Sequence, residues 1–116
     1  MAIDMELLQQ VYKDFNARDL EAVLAALHTD VTWANGMEGG HVHGRDAVRS
    51  YWTRQWAAID PRVEPTAFST GAHGEIVVEV RQTVRDLQGA VLVDQMVGHI
   101  FRIKNGFIVR FDIREA

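Results

Sequence analysis

His99 and Asp112 stand on either side of an Asn105-Gly106 pair, at equal reach along the chain from the turn that pair must make. Asn-Gly is the residue pair a type I′ turn selects, because both central residues need positive φ. A two-residue loop there sets Lys104 against Phe107, Ile103 against Ile108, Phe101 against Arg110, His99 against Asp112 and Val97 against Arg114. Directly opposed Cβ atoms lie about 4.5–5.5 Å apart, close enough for an imidazole–carboxylate hydrogen bond. The carboxylate would stabilise imidazolium and fix the ring tautomer, making the pair a proton-transfer couple near neutral pH. The competing reading is a satisfied polar pair that ties two strands together, since structural pairs also perturb pKa values. A loop of three or five residues would turn Asp112 to the opposite face.

The elements needed to hold this pair follow from periodicity. Residues 4–15 have Leu7, Leu8, Val11 and Phe15 on one helical face behind Asp4 as N-cap. Asp19 caps a second helix ending near His28, and a short strand follows at 31–35. The segment 36–44 holds four glycines and reads as a loop. Asp46 opens a third helix to about Ile59, with Val48, Tyr51, Trp52, Gln55, Trp56 and Ile59 as its stripe. Pro61 and Pro65 suit an edge strand near 63–69. From Glu75 the period becomes two, giving strands 75–85, 91–104 and 107–115. A four-residue turn at Asp86–Gly89 pairs Arg81 with Asp94, Ile76 with His99, Val78 with Val97 and Val84 with Val91. Three helices before a meander of long strands predict an α+β fold, with the helices packed on one side of an antiparallel sheet.

That register collects Gln82, Gln95, His99, Arg110, Asp112 and Arg114 on a face otherwise built from Val, Ile and Phe, including Val97 and Phe101. Buried polar groups must be paired or serve a pocket. Trp33 and Trp52 are expected in the pocket wall, while other large aromatics at helical spacing belong to the core. On the outer face, Met96, Ile100, Phe107, Val109, Phe111 and Ile113 would form an apolar patch too large for a monomer, which predicts a homodimer through the sheet backs. His41-Val42-His43 has a spacing that could hold a metal, yet no carboxylate partner is evident, so no metal is expected. The same segment, hinged on Gly39, Gly40 and Gly44, could also serve as a lid.

Composition narrows the partners. The 116 residues are 47% hydrophobic and 24% charged, the balance of one folded domain. Net charge is −4 with the basic residues scattered, which argues against nucleic acid or an anionic membrane as a partner. Without cysteine there is no disulfide, thiolate chemistry or Cys-based zinc site. Acidic Asp4 and Glu6 stand where a signal peptide would be basic, and no apolar run reaches the roughly 18 residues of a membrane span, so a cytoplasmic location is expected. No glycine-rich phosphate loop follows a strand, and no organic cofactor is expected.

These residues resemble the nuclear transport factor 2-like superfamily, in its SnoaL-like and ketosteroid-isomerase-like branch. The resemblance rests on Phe15-Asn16-Ala17-Arg18-Asp19-Leu20, Val31-Thr32-Trp33-Ala34-Asn35, Gly44-Arg45-Asp46-Ala47-Val48, and His99-Ile100-Phe101-Arg102-Ile103 before Asn105-Gly106. It covers nearly the whole chain, as a single SnoaL-like domain over 1–116. It implies a cone, with the helices in the concave face of a strongly curved sheet around an apolar pocket. The isomerase pattern puts Asn35 where that family has its general base, His99 at its protonated aspartate and Val11 at its oxyanion-hole tyrosine, with Tyr12 one residue away. The cyclase pattern fits better: Asp112 as general acid/base, His99 beside it, and Asn35 orienting a substrate held by Trp33, Trp52, Tyr12, Val97, Phe101 and Arg110. The function implied is acid/base proton transfer, cyclase- or isomerase-like, on a small apolar carbonyl compound. A binding module without turnover and a dehydratase using His99 as base are the alternatives.

Overall fold

The computed structural model describes residues 2–115, and its first half winds three helices around a short hairpin. The elements run α1 (Ala2–Asn16), α2 (Leu20–Ala25), β1 (Leu27–Ala34), β2 (His41–His43), α3 (Arg45–Ala58), β3 (Asp60–Thr70), β4 (Ile76–Arg85), β5 (Val91–Lys104) and β6 (Phe107–Glu115). The strands form one curved, unclosed sheet in the order β2-β1-β6-β5-β4-β3, and the protein is α+β as the periodicity predicts. Only β1 and β6 run parallel; the other neighbouring pairs are antiparallel. Leu8, Val11 and Tyr12 of α1 and Val48, Tyr51 and Trp52 of α3 pack with Val78, Val80, Phe101, Ile108 and Phe111 of the sheet in one core. Among the described residues no helix is long and apolar enough to cross a membrane.

The Phe15–Leu20 run is a corner that joins three elements. Asn16 reads the backbone of Val63 in both directions, its Nδ2 donating to the carbonyl at 2.7 Å and its Oδ1 accepting from the N–H at 3.0 Å. Arg18 has φ 62°, the left-handed turn that ends α1. Its guanidinium bonds the Asp60 carboxylate and the Pro61 carbonyl and lies 5.2 Å from the centre of the Trp56 ring. Asp19 then caps α2, accepting from the Ala22 N–H at 3.2 Å. Together the corner fixes α1 against the start of β3.

Several boundaries differ from the sequence reading. Asp4 sits inside α1 rather than capping it, and α2 stops at Ala25, so Leu27 belongs to β1. The glycine segment contains β2, which pairs His41, Val42 and His43 with Ala34, Trp33 and Thr32. β3 includes both prolines, which its place at the sheet edge allows.

Strand register carries the largest correction. Asn105 and Gly106 take φ of 52° and 81° and close the two-residue loop, with Lys104 opposite Phe107. Ile103 still faces Ile108, but Arg102 faces Arg110, so Val109 has no partner of its own. This β-bulge displaces every later pair by one residue. His99 is therefore opposite Ile113, Ile100 opposite Asp112 and Phe101 opposite Phe111. Asp112 and Arg110 belong to the outer face, and the His99–Asp112 pair does not form.

The β4–β5 hairpin departs differently. Asp86 closes a five-residue loop by accepting from the N–H groups of Gln88 and Ala90, each at 2.9 Å. Arg85 then pairs with Val91, and a further irregularity sets Val84 against Val93. The two displacements sum to an even shift, so the residues beyond them keep their expected faces while changing partner; Val91, between the two, joins Arg85 on the outer face. Val78 meets His99, Val80 meets Val97 and Ile76 meets Phe101. Arg81 stands opposite Met96 yet still reaches Asp94 diagonally through two hydrogen bonds of 3.1 and 2.9 Å.

The bulge also dissolves the expected apolar patch. Phe111 is buried and Ile113, though 39% exposed, turns to the cavity side beside Gly36, leaving Met96, Ile100, Phe107 and Val109 without them. These six residues form no common face, and the basis for a dimer through them is gone.

Candidate functional site

Between the helices and the concave face of the sheet lies a cavity of about 330 Å³, a size suited to a small organic molecule. Its walls come from α1 (Val11, Tyr12, Phe15), α3 (Tyr51, Trp52, Gln55), the end of β1 (Trp33, Ala34) and the inward residues of β3 to β6. Gly36 and Met37, in the loop after β1, complete it. Among the described residues no Asp, Glu, Lys or Arg lines the cavity.

Aromatic rings determine its shape. Trp33 stacks on Phe111 at 4.1 Å between ring centres and meets Trp52 edge-on at 5.1 Å. Phe101 packs against Phe111 at 5.1 Å and against Tyr12 at 6.0 Å. Each ring fixes its neighbour, which gives a rigid, flat-walled space.

The deepest polar feature is a pair. Tyr12 Oη and His99 Nδ1 lie 2.7 Å apart, and both residues are buried. Burial raises the Tyr12 pKa above its ordinary value, so the phenol keeps its proton. Burial pulls His99 down to about 3, so the ring is neutral at physiological pH. A phenol donates a hydrogen bond more readily than it accepts one. The short contact is then Tyr12 O–H donating to Nδ1, which leaves the proton of the neutral ring on Nε2. Among the described residues Nε2 has no protein partner, and His99 lines the cavity. The dyad therefore presents one buried N–H donor to whatever occupies the space.

Two further polar groups line the cavity. Tyr51 Oη accepts from the Gly36 N–H at 3.0 Å and from Gln55 Nε2 at 3.1 Å. Gln95 Nε2 donates to Gln82 Oε1 at 3.0 Å on the facing strands β4 and β5.

The sequence-expected site residues divide sharply. Tyr12, Trp33, Trp52, Phe101 and His99 line the cavity. Val97 is buried in the core but is not part of the wall. Asn35 turns its Oδ1 to the N–H groups of Met37 and Glu38, at 3.0 and 2.9 Å, and acts as a turn cap outside the cavity. Asp112 and Arg110 meet on the outer face, where Arg110 Nε donates to Asp112 Oδ2 at 2.7 Å and His41 Nε2 lies 2.8 Å from Oδ1. The hydrogen bonds from Arg110 and His41 keep the Asp112 carboxyl below its usual range against the opposing effect of burial. His41 and His43 do not come together with a third ligating residue, and no cluster of three His, Asp or Glu suited to a metal occurs among the described residues. Tyr51 and Gln55 carried a signal that periodicity assigned to the stripe of α3 rather than to a site. Their polar ends, inside an apolar stripe, were the clue.

The sequence pattern of the SnoaL-like domain matches residues 8–111. The chain belongs to the SnoaL-like domain family. Within the wider superfamily, an NTF2-like protein of unknown function from Burkholderia pseudomallei is 31% identical, with a TM-score of 0.86 over 100% of this chain and 92% of that one. TerC, crystallised with polyporic acid, is 22% identical, with a TM-score of 0.84 over 98% of this chain and 92% of that one. The epoxide hydrolase/cyclase-like enzyme SalBIII, of pyran-ring formation in salinomycin, is 19% identical, with a TM-score of 0.81 over 97% of this chain and 90% of that one. These last two likenesses concern the fold. No curated protein sequence matches the chain.

Proposed function

We propose that this SnoaL-like protein binds a small, flat, apolar carbonyl compound in the cavity and activates it through His99, in chemistry of cyclase or isomerase type. The observation that carries the reading is the Tyr12–His99 dyad, which leaves a neutral Nε2–H facing the cavity. A carbonyl oxygen is the natural acceptor for such a donor in surroundings without charge. A hydrogen bond there strengthens as negative charge develops on the oxygen, so it stabilises an enolate more than the ketone. Tyr12 holds the ring in the donating tautomer. His99 is thus an electrophile rather than a base, and the proton lost from the α-carbon passes to water at the cavity mouth. Asp112 has no part in this scheme, because its carboxylate lies on the other face of the sheet beside Arg110 and His41. TerC holding polyporic acid and SalBIII acting as a cyclase-like enzyme are consistent with the ligand class and the chemistry.

The second reading is a ligand-binding module without turnover. It is favoured by the absence of a carboxylate from the described lining, which leaves no strong base within the cavity.

Titration with 2-acetylnaphthalene, followed by tryptophan fluorescence from Trp33 and Trp52, tests binding. Incubation of that ketone in D2O tests turnover. Activation predicts deuterium entering the methyl group faster than in buffer, with the excess lost in His99→Gln. Binding without excess exchange supports the module, and no binding overturns both readings.

A further inference from the structure

Beside the dyad, α3 carries a second set of polar atoms that the fold leaves unpaired. Tyr51 Oη already accepts two hydrogen bonds, from the Gly36 N–H and Gln55 Nε2, and its own hydrogen has no acceptor among the described residues. Gln55 Oε1 is buried and has no partner among the described residues. Both side chains line the cavity. Turning the carboxamide end for end lets Tyr51 donate to Oε1, but Nε2 then becomes the unpaired buried group. In either orientation a buried donor lacks an acceptor.

Leaving such a group unsatisfied costs about 1–3 kcal/mol, and an apolar residue of similar size would avoid that cost. The rest of the Tyr51 environment is tightly built. A Cβ at Gly36 would come within 3.3 Å of Ile113 Cδ1 and 3.7 Å of Tyr51 Oη, so the loop backbone reaches the hydroxyl because this residue has no side chain. Trp56 Nε1 is also buried without a partner, but Trp56 is not part of the wall and nothing in the cavity accounts for it.

We infer that Tyr51 and Gln55 form a second polar subsite, which receives a neutral oxygen function of the ligand, a hydroxyl or a second carbonyl, while His99 Nε2–H receives the first carbonyl. The inference rests on the ketone-binding reading and extends it to a substrate class: flat, uncharged and oxygenated at two positions. Neutrality follows from a lining that carries no ionic side chain to pair with a charge. A hydroxyl matches the arrangement best, since it accepts from Tyr51 and donates to Gln55 Oε1 once the carboxamide turns from its closed position toward the cavity.

The test compares 2-acetylnaphthalene with 6-hydroxy-2-acetylnaphthalene on the native protein and on Gln55→Leu. Two additional buried hydrogen bonds predict at least about tenfold tighter binding of the hydroxylated probe to the native protein. In Gln55→Leu the preference for the hydroxylated probe should fall, because only the bond from Tyr51 remains, and in the Tyr51→Phe/Gln55→Leu double variant it should vanish. The urea midpoint of ligand-free Gln55→Leu should hold or rise, because an unsatisfied amide has been removed. Gln55→Met serves the same comparison if the leucine variant does not fold. Equal affinity of the two probes for the native protein, or a preference undiminished in Gln55→Leu, overturns the subsite and leaves the ketone reading intact. Failure of both probes to bind, or ketone affinity indifferent to His99→Gln, overturns the ketone reading and the subsite with it.

Discussion

Acidifying the solution from pH 7 to pH 5 should destabilise the native protein far more than its His99→Gln variant. The cause is burial, which holds the His99 pKa at about 3 against 6.5 in the unfolded chain. Between those values the unfolded state takes up a proton that the folded state refuses, so stability falls as pH drops below 6.5. At pH 5 the difference is about 2 kcal/mol, and at pH 7 it is about 0.2 kcal/mol. The result at pH 5 barely depends on how far below that pH the folded value lies. Carboxylates with lowered pKa values, Glu21, Glu75, Asp94 and Asp112, lose their contributions only as pH falls through and below their own unfolded values of 4.5 and 3.8. The comparison with His99→Gln then isolates this histidine, because the four others are common to both proteins. Glutamine at 99 can still accept from Tyr12 but does not titrate. Urea unfolding at pH 5, 6 and 7 gives the free energies directly. A native pH dependence no steeper than that of His99→Gln would refute a neutral, desolvated His99, as would an imidazole resonance of His99 titrating near pH 6.

Three further outcomes test other parts of the argument. Asn16→Ala removes both hydrogen bonds to the Val63 backbone and strands its amide, which should cost about 2–3 kcal/mol in urea unfolding while leaving the α-helical circular dichroism intact. Asp112→Asn breaks the outer-face contacts to Arg110 and His41, so it should cost about 1 kcal/mol or less and leave the affinity for 2-acetylnaphthalene unchanged. A fall in that affinity of tenfold or more would return Asp112 to the site. Trp52→Ala empties the space of a buried ring that touches Trp33, Phe15 and Trp56, and should lower stability by about 3–5 kcal/mol in the same assay.

Element types were legible in the chain because local physics decides them. The stripe Val48, Tyr51 and Trp52 required a helix, the alternation from Ile76 to Val84 required a half-buried strand, and Asn105-Gly106 required its turn. The helix corner was legible too, as the residues of Phe15–Leu20, although not as the set of bonds to Val63, Asp60 and Pro61 that explains them. Pairing was harder to read, and the two hairpins show why. At Asp86–Ala90 a longer loop and a second irregularity displaced the strands by two residues, and a period of two hides an even error. At Val109 a single extra residue displaced them by one, and every later side chain changed face. Nothing in Ile108-Val109-Arg110 marks a bulge, since any of the three could sit in a regular strand. His99, on the near side of that irregularity, was placed correctly; Asp112, beyond it, was not. Tyr12 depended on a contact between residues 87 positions apart, which no local pattern encodes.

The unpaired residue at Val109 has an evolutionary consequence. Straightening the bulge, so that Val109 takes Arg102 as its partner, would restore the register the two-residue turn implies and exchange the two sides of β6 beyond it. Phe111 and Ile113 would leave the cavity, and Arg110, Asp112 and Arg114 would enter it next to His99. An uncharged binding chamber would become an ionised one without a single amino-acid replacement. Two related sequences that align without a gap there need not present the same residues to a ligand, because a bulge kept in one and straightened in the other exchanges the faces of the last strand.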